Sequence, residues 1–238
     1  TVTPVFMLLC FYLLVVYLDN KHILLPWLLG VSFFILALFE PSPLITGIVM
    51  AGITIHALKE GKLARKELFS LILYAAGGFL IMVLLFYVVF SFNFFQTFMY
   101  LLNEARNFNI NDERGYWIWI IENSREFFFG AGVPVMIIFI YMVILVFAQT
   151  KNIKAAVHWK LENIFVVSLF VNYLLLLFLG INRGEITRLW IYLAVLFQVP
   201  ASVFIAKIDK GIILFFFLAS LLAVQGMVTL HRIGFVFP

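Results

Sequence analysis

The chain of 238 residues is 65% hydrophobic and 12% charged, with a net charge of +4 and a mean hydropathy of +1.11. A soluble globular domain carries roughly 25% charged residues, so a water-soluble core is excluded and a polytopic membrane protein is indicated. The single cysteine, Cys10, rules out an intrachain disulfide, and no CxxC or HxH-like cluster points to a metal site.

The chain opens at Thr1 with no charged region ahead of "PVFMLLCFYLLVVYL", as expected if a leader has been removed or if this is the later part of a longer chain. Only a helix or a closed barrel satisfies its backbone in lipid, so apolar runs of about 20 residues are read as spanning helices. Eight such runs lie between charge clusters, at about 3–18, 23–39, 43–58, 68–92, 131–149, 163–180, 188–206 and 211–230. The expected fold is therefore all-α, a polytopic transmembrane helical bundle of about eight spans forming a single domain over 1–238.

The second and third runs meet at "FEPSP", where Pro41 and Pro43 break the helix and leave Glu40 at the turn. The next loop, "KEGKLARKE", is basic and suits attraction to anionic lipid and the setting of topology. Its basic residues are loop tips rather than a continuous groove, so nucleic acid is not an expected partner.

The long connection over 93–130 has a polar centre from Asn103 to Gly115, followed by "YWIWII" and "EFFF", which are too aromatic for a solvated loop. An interfacial helical segment is expected there. Trp117 and Trp119 read as aromatic-belt anchors or as a substrate platform. Glu122, Asn123, Arg125 and Glu126 then interrupt the apolar run before Gly130, Gly132 and Pro134 restart a helix. A polar patch bounded by aromatics suits contacts to a sugar or acceptor, and equally a plain helix-to-helix bend.

Asn172, Gln198 and Gln225 are isolated polar residues in apolar runs and are expected to make interhelical hydrogen bonds. His56 and His158 have no companion at triad-like spacing and are assigned no role. In "NRGEITRLW", Asn182 and Glu185 form a capping-box variant. Arg183 and Arg188 are left over. Arg188, one turn into the helix beside Trp190, wants an anionic partner, either Glu185 or a lipid phosphate gripped by its guanidinium fork.

Alternating the loops between two faces places Lys21, Lys59, Lys62, Arg65, Lys66, Lys151, Lys154, Lys160, Lys207 and Lys210 on one side. The other side holds Arg106, Arg114, Arg125, Arg183, Arg188 and Arg232, so every lysine falls on the first face. The positive-inside rule makes the lysine face cytoplasmic, in a cell inner membrane or the endoplasmic reticulum, with both chain ends outside.

Three stretches resemble a known family: "LLPWLLGVSFFILALFEPSPLITGIVMAGITIHAL", with its proline junction; "RGYWIWIIENSREFFFGAGVPVMIIF", leading into a Gly-Pro helix start; and "NRGEITRLWIYLAVLF". Together they are similar to the later two-thirds of a GT-C-type polytopic membrane glycosyltransferase. The resemblance implies transfer of a sugar from a polyprenyl-phosphate donor on the non-cytoplasmic side. It also implies that Arg188 and Arg183 hold the lipid phosphate and that Glu185 orients Arg188. Glu40, Asp112, Glu113, Glu122 and Glu126 are the acidic candidates on that side, and the sequence does not rank them.

The family's acidic residue in the first outer loop has no counterpart here. No cofactor is evident, and a divalent cation is expected only if a longer chain supplies an acidic outer loop. Membrane lipids, a polyprenyl-phosphate sugar and partner membrane subunits are the expected partners. Two other readings stand beside the enzyme: a non-catalytic transmembrane subunit of a larger complex, and a lipid or polyprenyl-phosphate transporter. A transporter normally carries charges or broken helices near the bilayer midplane, whereas here the charges lie near the run ends.

Overall fold

The structure, a computed structural model, describes residues 2–40, 42–111, 115–149, 159–180 and 190–233. Every element among them is helical. In chain order these are α1 (Thr3–Asn20), α2 (Leu24–Phe39), a 3-10 turn (Ser42–Thr46), α3 (Gly47–Lys59), α4 (Arg65–Phe90) and α5 (Phe94–Asn111). There follow α6 (Tyr116–Ala131), α7 (Val133–Gln149), α8 (Leu161–Leu179), α9 (Ile191–Ala206) and α10 (Gly211–Ile233).

Each of the eight apolar runs contains a helix, but span length is narrower than the sequence reading. By length and composition, among the described residues α1, α4, α8 and the Gly211–Val228 part of α10 are apolar and long enough to cross a membrane, and α6 with α7 forms a bent pair that brings the number there to as many as five. Leu24–Phe39, Leu44–Lys59 and Tyr192–Ala206 are apolar but shorter. At 1.5 Å per residue a helix of 16 residues reaches about 24 Å, short of the roughly 30 Å hydrocarbon thickness. Proline chemistry explains one shortening: after "FEPSP" the chain winds as a 3-10 turn before α3 begins.

α1 and α2 form a hairpin, α2 packs along α4, and α3 packs on α8. α9 is central, touching α1, α6, α7, α8 and α10, and its Tyr192, Leu193 and Phe197 are fully buried. The α2–α4 seam depends on glycine. A Cβ on Gly30 would lie 1.9 Å from the Ala75 carbonyl oxygen, and one on Gly78 would lie 2.3 Å from that of Trp27. Helices in a membrane gain little from the hydrophobic effect, so small residues that let backbones approach are what lock such a seam. Above it, Phe34 meets Phe86 and Phe94 at ring distances of 4.9 and 5.6 Å.

Lysines at two helix ends reach carboxylates at the starts of others. Lys21 at the end of α1 lies 3.8 Å from Glu67 in the first turn of α4, and the Tyr17 hydroxyl donates to the Glu67 carbonyl at 3.2 Å. Lys207 pairs with Glu162 across the ends of α9 and α8. Beside the second pair, a cavity of about 210 Å³ is lined by Val15 of α1, Ile53 of α3, Glu162 of α8 and Val203 of α9.

Candidate functional site

The opposite end is organised by α5, α6 and the end of α8. Asn93 starts α5, its side-chain oxygen accepting from the Gln96 N–H at 3.1 Å. At α5's first turn Phe94 inserts among Phe34 and Phe79, and near its last turn the Asn109 amide donates to the Gly180 carbonyl at 3.5 Å. Between these anchors α5 packs along no other helix among the described residues, and its Tyr100, Phe108 and Ile110 are exposed. It bridges the α2–α4 corner to the end of α8. Tyr116, opening α6, donates its hydroxyl to the Phe178 carbonyl at 2.7 Å. The last carbonyls of a helix have no intrahelical donor, and Tyr116 and Asn109 supply two for α8.

α6 meets α7 at an angle of 109°. The bend is made at Gly132, whose φ of +96° is costly for any residue with a Cβ and whose Cβ would also strike the Leu222 side chain. Breaking a helix strands backbone groups, and two glutamines recover them. Gln225 accepts from the Val133 N–H at 3.0 Å and donates to the Phe129 carbonyl at 2.7 Å, while Gln198 donates to the Ala131 carbonyl at 3.3 Å. Both are the interhelical contacts expected of them. Asn172 is not. It is fully buried on α8, and neither Nδ2 nor Oδ1 has a hydrogen-bond partner among the described residues, so burial alone did not create the contact read from the sequence.

Along α6 the helical repeat sorts the candidate residues. Asn123, 2% exposed, faces inward with Phe127 and Ala131. Trp119 lies one turn before Asn123 on the same stripe, with Glu122 and Glu126 beside it, and Trp119, Asn123 and Glu126 are all engaged by neighbours. Trp117, two residues earlier and 72% exposed, points the other way. Glu122 lies 3.8 Å from Arg125, and Ser124 returns its hydroxyl to the Ile120 carbonyl at 2.7 Å. Beneath the stripe Phe127 packs against Tyr173, Trp190 and Phe197 at 5.1, 5.9 and 5.2 Å. Trp190 is buried in this cluster.

Glu40, half-buried at the end of α2, has its N–H on the Leu36 carbonyl at 3.0 Å and is also engaged, but no described contact joins it to Trp119, Glu122 or Asn123. Arg183, Glu185 and Arg188 lie outside the described residues, as do Asp112 and Glu113. Among the described residues no group of three His, Cys, Asp or Glu side chains converges as a metal site would require. The sequence reading missed Tyr116 and Asn109 as anchors and Asn93 as the cap of α5. The signal for the cap was present, an Asn three residues before Gln96 at the head of an amphipathic stretch.

The chain matches no family model, no curated protein and no solved structure, so the likeness to multi-pass glycosyltransferases rests on the three stretches themselves.

Proposed function

We propose that the protein is a membrane glycosyltransferase-like protein that moves a sugar from a polyprenyl-phosphate donor on the non-cytoplasmic side, at the end away from the lysines. The observation that supports this reading most is the broken helix pair. A helix turned through 109° and pinned at both ends carries two carboxylates, a buried asparagine and an indole along one stretch of the bundle's arginine-bearing end. Such a helix lies across the bundle rather than along it, which suits a headgroup or sugar at the membrane surface.

In this reading the acceptor hydroxyl attacks the anomeric carbon, the bond from that carbon to the phosphate oxygen breaks, and the polyprenyl phosphate leaves with the electron pair. A carboxylate among Glu40, Glu122 and Glu126 takes the hydroxyl proton. Arg188 and Arg183, with Glu185 orienting Arg188, stabilise the negative charge that develops on the departing phosphate. The lysine end faces the cytoplasm on the positive-inside rule.

Turnover of a radiolabelled polyprenyl-phosphate hexose by the full chain in proteoliposomes tests the reading, with released polyprenyl phosphate as the readout. Arg188→Ala should lower that release by about 10²- to 10³-fold at unchanged expression. Unchanged release would remove Arg188 from the chemistry. A second reading, a non-catalytic subunit, is favoured by α4 and α10, which bury very little of their apolar surface within the chain. It predicts no turnover at all and co-purification with partner membrane proteins.

A further inference from the structure

α3 and α4 are consecutive and joined by the short turn Glu60–Ala64, yet they do not pack along one another. Consecutive helices on so short a connection are usually neighbours in contact. Here they splay, and between them lies a cavity of about 530 Å³, open on one side and floored by Leu14, Leu29 and Phe33. Its walls are Gly47, Ala51 and Ile55 of α3 and Leu68, Ile72 and Phe79 of α4. Among the described residues Thr54 is the one polar side chain on the wall, and its hydroxyl is committed to the Met50 carbonyl at 2.8 Å. Such a lining recognises hydrocarbon and nothing else. From Leu68 to Phe79 the groove runs about 16 Å along α4, a length suited to an extended acyl chain rather than to a compact ligand.

The turn that closes the groove at the lysine end supplies a second kind of recognition. Leu58 and Leu68 line the groove, and between them stand Lys59, Lys62, Arg65 and Lys66, all exposed. Glu60 and Glu67 are the acidic residues of the same segment, and Glu67 is already occupied, accepting from the Ala64 N–H at 2.8 Å and lying 3.8 Å from Lys21. A cationic mouth on a purely apolar slot is complementary to a molecule with an anionic head and a long hydrocarbon tail.

We propose that this groove is a retained binding site for an anionic glycerophospholipid of the leaflet at the lysine end. One acyl chain lies between α3 and α4, and the phosphate-bearing head rests on Lys62, Arg65 and Lys66. This site is at the opposite end of the bundle from the proposed sugar-phosphate chemistry and does not depend on that reading. Each basic side chain near a membrane surface adds about 1 kcal/mol toward an anionic lipid, so the three together select it over a zwitterionic lipid by about a hundredfold.

The test is native mass spectrometry of the full chain released from nanodiscs containing phosphatidylglycerol and phosphatidylcholine. The wild type should retain phosphatidylglycerol preferentially. Lys62→Ala/Arg65→Ala/Lys66→Ala, all at exposed positions, should lose about a hundredfold of that preference while still retaining lipid. Gly47→Leu/Ala51→Leu should retain neither lipid, because a Cβ on Gly47 meets nothing within 4 Å and both new side chains extend into the groove. An unchanged head-group preference in the triple variant would overturn the proposal. So would undiminished retention in the groove-filling variant, or a retained mass matching polyprenyl phosphate or a neutral lipid.

Discussion

At the lysine end, helices are tied by ion pairs: Lys207 with Glu162 is exposed on both sides, whereas Lys21 approaches Glu67 at 3.8 Å through a buried Nζ. At the opposite end the ties are neutral hydrogen bonds to stranded backbone, from Tyr116 and Asn109 to α8 and from Gln198 and Gln225 to the α6–α7 break. The difference is energetic as well as chemical. An exposed ion pair is worth about 0–1 kcal/mol, because water and salt screen it and two long side chains lose freedom. A stranded backbone group that loses its partner away from water costs about 1–3 kcal/mol. The neutral ties around α6 are therefore expected to cost more to lose than the exposed Lys207–Glu162 pair.

The largest effect expected is on turnover and sharpens the assignment of the far end. With Glu40, Glu122 and Glu126 each replaced by glutamine, the proton acceptor should cost about 10²- to 10⁴-fold in the hexose transfer assay and the other two far less. Three equal, small losses would take the base away from these three carboxylates. Gln225→Leu is expected to cost about 2–4 kcal/mol in thermal unfolding in detergent, since it strands both the Val133 N–H and the Phe129 carbonyl. Tyr116→Phe removes one hydrogen bond to α8 and should cost about 0.5–1.5 kcal/mol by the same measurement. Lys207→Ala should fall within about 0–1 kcal/mol. If Lys207→Ala proved costlier than Gln225→Leu, the contrast between the ends would be inverted.

The helices within the eight apolar runs were legible because a backbone in lipid has almost no alternative to helix. Gln198 and Gln225 were legible for a related reason: an amide in an apolar run must find a partner on another helix. Asn172 had the same signature and found none among the described residues, so the pattern fixes the need and not the outcome. Gly30 and Gly78 were not singled out, since their role depends on which helix lies opposite, a fact of tertiary packing that a single strand of letters does not contain. The facing of Trp117 and Trp119 was hidden for a simpler cause. Two residues apart on a helix means about 200° apart, so the expected helical segment separates the pair, but which of the two turns inward is set by the neighbours α6 packs against. The groove between α3 and α4 was equally hidden, because a short turn between two apolar runs reads as a packed hairpin.

The orientation of the bundle is what the functional reading depends on most, and sided labelling tests it directly. In a Cys10→Ala background, removing the buried native thiol, Lys62→Cys and Arg188→Cys would each be exposed to a membrane-impermeant maleimide in intact cells and again after permeabilisation. The account predicts that the thiol at position 188 reacts in intact cells and that the thiol at position 62 reacts only after permeabilisation. Reaction of both thiols under the same condition would place the lysines and the arginine on one surface and contradict it.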